Sequence, residues 1–291
     1  MLFELISKYC LEIVFEICDD LNQYSSDFDD FNSDLYKNSL IKEDLKEEFV
    51  RQKLVTKLES RLINNTIEMG SNIINWKKIK VEKEYPKAIS KKCDIFLQGN
   101  TADTKMYSGR YVYNQEEKRD VWIEIKFFTP IYSTGTSNRA KIINDLLRLY
   151  YYLEDYRESI WFTERYFVLF LLCGRYGSSN MNIPNFLGGD NRLLEVFFPP
   201  DLNVEMSGPL NLKECVEENI DLSSFKDALD DEIKSIIEGG MDLERIYLDR
   251  KYITPIPFFK DITFENSNKS LFCYVLNIRG YQVPHKTIIN K

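Results

Sequence analysis

A single histidine, His285, is present among 291 residues. This excludes histidine-rich zinc sites and His-metal nuclease motifs, and a Ser-His or Cys-His nucleophile would depend on that one imidazole. The six cysteines, at 10, 18, 93, 173, 215 and 273, include no CxxC pair and no metal-type spacing. They read as buried free thiols of a reducing compartment. Neither a Walker-type phosphate loop nor a GxGxxG sequence occurs. No apolar run approaches the roughly 18 residues that a membrane span needs. Glu4, Glu12 and Glu16 interrupt the apolar residues of the first twenty positions, which repeat at three and four like an amphipathic helix and unlike a signal peptide. The expectation is a cytoplasmic chain with no membrane association, whose chemistry rests on carboxylates and lysine.

The formal net charge is −8, which at first disfavours a nucleic-acid partner. Its distribution softens that. Residues 1–48 carry −9 and 201–244 carry −10, whereas 49–200 carry +6 and 245–291 carry +5. A basic face beside acidic lobes is therefore expected, with the acidic segments available to a protein partner.

An acid two residues before a lysine occurs six times, and only Glu124/Lys126 lies inside a strand-like apolar run, Val121 to Phe128. Alternation puts Glu124 and Lys126 on one face of that strand. Two charges inside such a run cost several kcal/mol, in rough terms, unless each finds a partner or a metal. Upstream, a second isolated acid, Asp94, interrupts another apolar run, Cys93 to Leu97. A helix is expected over 41–65, on which Glu47 has Val50, Leu54 and Leu58 at three, seven and eleven residues onward, so that it borders the buried face. Strands are expected at 79–85, 93–98, 121–128, 166–173 and 271–278, with a hairpin-like excursion over 99–119 and a helix over 138–158. The strand, helix and strand over 121–173 form a βαβ unit with parallel pairing. Residues 19–40 read as an acidic linker, 222–238 as an acidic helix, and 201–244 as an insertion or satellite. The division expected is an N-terminal helix and linker over 1–40 and a larger unit over 41–291.

The ordered set of Glu47 on a helix, Asp94 on a strand and Glu124-x-Lys126 on a later strand resembles the PD-(D/E)XK nuclease superfamily. Glu47-Glu48-Phe49-Val50-Arg51 and Lys92-Cys93-Asp94-Ile95-Phe96-Leu97 carry the likeness further, over roughly 41–173. One departure is that no proline precedes Asp94. The resemblance implies an α/β, restriction-endonuclease-like core with a mixed central sheet flanked by helices, to which acidic helical parts are added. It also implies a Mg²⁺-dependent deoxyribonuclease serving in restriction or phage defence, with RNA not excluded as substrate.

The chemistry is consistent with that implication. Phosphodiester cleavage needs a hard cation, Mg²⁺ or alternatively Mn²⁺, and oxygen ligands suit it. Asp94 and Glu124, with a main-chain carbonyl near Ile125, are the candidate direct ligands, and Glu47 would bind through a metal water or a second metal. Lys126 would position or deprotonate the water, or stabilise phosphate charge. Lys91, Lys92, Lys141 and Arg148 are the candidate phosphate contacts, although Lys141, Asp145 and Arg148 share a helix face and equally read as a solvated salt-bridged stripe. Glu124 and Lys126 also admit the plainer reading of a same-face ion pair. On that reading the chain is a catalytically silent or partner-activated subunit of a larger complex. A homodimer would suit double-strand cutting, but no stretch marks its interface.

Overall fold

The computed structural model describes residues 2–26, 43–63, 67–69, 72–84, 92–107, 111–128, 141–142, 144–149, 163–176, 180–182, 209–211, 230–231, 234, 246–257 and 268–280. Its architecture is α/β, with a mixed sheet and helices packed against it. The helices are α1 (Leu2–Ser26), α2 (Glu43–Leu62) and α3, seen at 141–142 and 144–149. The strands are β1 (Ile67–Met69), β2 (Asn72–Glu84), β3 (Lys92–Tyr107), β4 (Tyr111–Phe128), β5 (Thr163–Tyr176), β6 (Asn180–Asn182), β7 (Pro209–Asn211), β8 (Ile246–Pro257) and β9 (Asn268–Gly280). Their order across the sheet is β1-β2-β3-β4-β5-β9-β8-β7, with β6 paired to β5.

The β4/β5 pair is parallel, with Glu124 opposite Phe167 and Lys126 opposite Leu169, and α3 lies between the two strands in sequence. This is the βαβ unit expected from the alternation over 121–173. The other pairings between named strands are antiparallel.

Alternation divides the central strands into two faces. On one, Ile95 and Leu97 of β3, Ile123, Ile125 and Phe127 of β4, and Tyr166, Val168 and Phe170 of β5 join a single apolar core with α1 and α2. Those helices contribute Ile6, Cys10, Ile13 and Val14 from α1, and Val50, Leu54, Leu58 and Leu62 from α2, at the three- and four-residue spacing of a buried stripe. Glu12 and Glu16 of α1 meet Lys57 of α2 at 3.0 and 2.7 Å, which fixes the two helices side by side. The opposite face carries Phe96, Trp122, Glu124, Lys126 and Phe167. α3 approaches this face, where Asp145 meets Lys126 and the main-chain oxygen of Leu149 meets Arg165.

Several elements depart from the sequence expectation. α1 runs on to Ser26, into the stretch read as linker, and shares the core with the later strands instead of standing apart from them. β2 begins at Asn72, well before residue 79, whereas the hairpin-like excursion expected over 99–119 is present as an antiparallel ribbon from Leu97↔Val121 to Tyr107↔Tyr111. The 201–244 segment is not wholly peripheral, because β7 pairs with β8 at the end of the sheet. The stretch 186–198 and His285 lie outside the described residues. Cys10, Cys18, Cys93 and Cys273 are buried and form no disulfide among the described residues. Among the described residues no helix is long and apolar enough to cross a membrane.

Candidate functional site

The β3/β4 ladder ends at Ile95↔Ile123, which places Asp94 and Glu124 next in register on adjacent strands. There the Asp94 side chain takes over from the backbone. The Ile125 N–H donates to Asp94 Oδ2 at 2.7 Å, and Arg51 Nη1 of α2 donates to Asp94 Oδ1 at 3.5 Å. Arg51 also pairs with Glu48. Asp94 is 8% exposed and Glu124 only 2%, so both carboxylates are held where desolvation is costly and partners are needed. The Ile125 main chain thus meets the site through its N–H.

Lys126 is met from both layers of the fold. Its Nζ lies 3.3 Å from Glu47 Oε1 on α2 and 3.2 Å from Asp145 Oδ2 on α3. Burial acts to lower its pKa, but the negative charges of Asp145, Glu47, Glu124 and Asp94 outweigh burial and hold the ammonium above the usual lysine range. Lys126 is thus a fixed cation in the metal-free protein.

Glu47 shows the complementary effect. Burial pushes its carboxyl up to about 7, and Asp94 and Asp145 push the same way, against the lowering by Lys126. One ammonium shared among several acids does not neutralise them all, and so it does not offset the effect of burial on Glu47. A hard divalent cation would relieve that excess of carboxylate, and the oxygen donors of Glu47, Asp94 and Glu124 suit Mg²⁺ or Mn²⁺. Among the described residues no three acid, histidine or cysteine side chains are grouped as a metal cage.

The shifted pKa has a consequence for stability. The folded protein holds the Glu47 proton more tightly than the unfolded chain, whose carboxyl has the ordinary value of 4.5. The stability contributed by that proton is complete below 4.5 and is lost as pH rises through about 7. Without divalent cation, wild type should lose up to about 3 kcal/mol more than Glu47→Gln between about pH 5 and about pH 8. Urea unfolding of the two proteins across that range checks this, and parallel profiles would contradict it.

The remaining expected residues divide. Lys92 is exposed at the start of β3, two residues from Asp94, and Lys141 is exposed on α3. Lys91 lies outside the described residues. Arg148 does not lie on a solvated stripe or an open phosphate-binding face. It is 6% exposed, with Nη1 2.6 Å from Asp145 Oδ1 and Nη2 2.8 Å from Asp230 Oδ2. The physical reason is the apolar stripe of α3, since Ile142, Leu146 and Leu149 are buried and carry Asp145 and Arg148 inward between them. Asp145 is the residue that the sequence reading left out of the site. Its signal was its position three after Ile142 and four before Leu149.

The site thus draws on α2, β3, β4 and α3, with one lysine at its centre. No protein-family model matches the chain, and no curated protein and no solved structure matches it.

Proposed function

We propose that the chain is a metal-dependent phosphodiesterase with a restriction-endonuclease-like core, hydrolysing DNA at the Glu47, Asp94, Glu124 and Lys126 site. The observation that supports this reading is the convergence of three acids and a lysine, drawn from a helix and two adjacent strands, on a buried region beside the end of the β3/β4 ladder.

Asp94, Glu124 and Glu47 would hold Mg²⁺ or Mn²⁺, with the Ile125 carbonyl as a further donor. The ion when bound polarises the scissile phosphate and acidifies the attacking water. Lys126, held as an ammonium, acts by donating to a phosphate oxygen or orienting water, and is unsuited to removing a proton. In the metal-free protein Glu47 is the member of the set poised to exchange a proton near neutrality. The Ile125 N–H fixes one oxygen of Asp94 and Arg51 faces the other, so its carboxylate cannot swing freely. Phe96 and Trp122, whose ring centroids are 4.6 Å apart, pack together on the same sheet face. Lys92 and Lys141 would meet the flanking phosphates.

A silent or partner-activated subunit is the second reading, favoured by the ammonium that already balances part of the acid cluster. Incubation of the purified chain with plasmid DNA and with single-stranded RNA, in Mg²⁺ or Mn²⁺ and in EDTA, separates the two. Metal-dependent DNA cleavage supports the nuclease, cleavage of RNA alone changes the substrate, and inertness toward both favours the subunit.

A further inference from the structure

Asp145 faces two cations with different oxygens. Its Oδ1 is 2.6 Å from Arg148 Nη1, and its Oδ2 is 3.2 Å from Lys126 Nζ. Oδ2 is enclosed and accepts no hydrogen bond among the described residues, so the nearby ammonium is what balances it. Arg148 is held in turn, because its other terminal nitrogen lies 2.8 Å from Asp230 Oδ2. The Asp230 N–H donates to Asn144 Oδ1 of α3 at 3.2 Å, and the Asp230 main-chain oxygen accepts from the Lys234 N–H at 2.9 Å. Asp230 is therefore joined to α3 through both its side chain and its main-chain N–H.

We infer that Asp145 is the positioning residue for Lys126, and that Arg148 and Asp230 fix its carboxylate in the orientation that presents Oδ2 to the ammonium. Lysine carries a long, flexible stem with a point charge at its tip, and its place is set by what surrounds that tip. Glu47 alone leaves the ammonium one contact to swing about, whereas Glu47 and Asp145, from opposite layers, give it two. Asp230 thereby belongs to the support of the site. This role rests on the proposed phosphodiesterase site for its consequence in catalysis, but the geometry it asserts can be measured without catalysis.

The test uses full-length Asp145→Asn and Asp230→Asn. Asparagine keeps the side-chain shape and removes the charge, and Asp230→Asn retains the main-chain N–H that donates to Asn144. Nuclear magnetic resonance of isotopically labelled lysine side chains reads the exchange protection and order of the Lys126 ammonium, with Lys126→Met assigning its signal. Asp145→Asn should abolish that protection and lower kcat by about 10²-fold while KM changes little, as misplacement of a reacting group does. Asp230→Asn should move both in the same direction, by less. Unchanged Lys126 protection in a folded Asp145→Asn protein overturns the inference, even if that protein melts at a lower temperature. Unchanged protection in Asp230→Asn removes Asp230 from the support. If wild type cleaves no nucleic acid the phosphodiesterase reading fails, yet loss of Lys126 order in Asp145→Asn would still establish the positioning.

Discussion

Lys126→Met should lower metal-dependent cleavage by about 10²- to 10³-fold or more, the scale on which loss of a preorganised charge-stabilising group is felt. Methionine preserves much of the volume of the lysine stem, so packing on the β4 face changes little. What goes is the ammonium that faces Glu47 and Asp145 and draws on Glu124 and Asp94 as well. Removing one partner of a buried charge cluster costs about 3–5 kcal/mol, because the charges left behind are uncompensated. Part of that cost is avoided when the carboxyls take up protons, so the variant should be most destabilised at alkaline pH and recover in acid. Mn²⁺ should raise its melting temperature more than it raises that of wild type, since the same acids now lack their internal cation. Stability restored by metal with cleavage still absent would separate the role of Lys126 in the reaction from its role in the fold. Cleavage at the wild-type rate would exclude the lysine from the chemistry.

Asp94→Asn should be nearly as damaging to cleavage and far gentler to the fold. The asparagine oxygen can still accept the Ile125 N–H that Asp94 now binds at 2.7 Å, so the strand end keeps its hydrogen bond. The charge that faces Arg51 at 3.5 Å is lost, and with it a carboxylate donor for a divalent cation. Unfolding free energy should fall by about 1 kcal/mol, the ordinary worth of one partly buried interaction, while cleavage falls by about 10²-fold or more. Asp94→Ala differs instructively. It leaves the Ile125 N–H without that acceptor, and a buried orphan donor adds about 1–3 kcal/mol to the loss. Asparagine is therefore the variant that isolates the chemistry. An Asp94→Asn protein that is folded, binds Mn²⁺ as wild type does and still cleaves would remove Asp94 from the site.

The parts of this site legible in the sequence were those whose signal is local. Glu124 and Lys126 announce a shared face because alternation is strict along a strand and the residues between and around them are apolar. Glu47 was placed by its helical spacing from Val50, Leu54 and Leu58, and all three are fully buried. That Lys126 would be enclosed by acids from two layers was not legible, since the approach of α3 depends on tertiary packing. Asp145 was assigned to an exposed stripe with Lys141 and Arg148, and only Lys141 is exposed. Charge on a helix was taken as a mark of solvent, although the same residues stand beside Ile142, Leu146 and Leu149.

The sheet was under-read for a related reason. Ladder hydrogen bonds are made by the backbone, so the polar run from Gln98 to Lys118 could pair along its whole length without an apolar pattern to reveal it. β8 was missed because Asp249, Arg250 and Lys251 look like a loop, and Pro255 and Pro257 argue against a strand. The register shift between Ile253 and Ile256 accommodates Pro255 at an irregularity, where a missing N–H does least harm. The acidic 222–238 stretch carried no sign that Asp230 would pair with a buried arginine more than eighty positions upstream.

The most direct test is cleavage of supercoiled plasmid by wild type, Lys126→Met and Asp94→Asn side by side, with Mg²⁺ or Mn²⁺ and with EDTA, each protein first shown to be folded. The account predicts cleavage by wild type that requires the metal and is lost in both variants. Equal cleavage by all three, or cleavage that persists in EDTA, would contradict it.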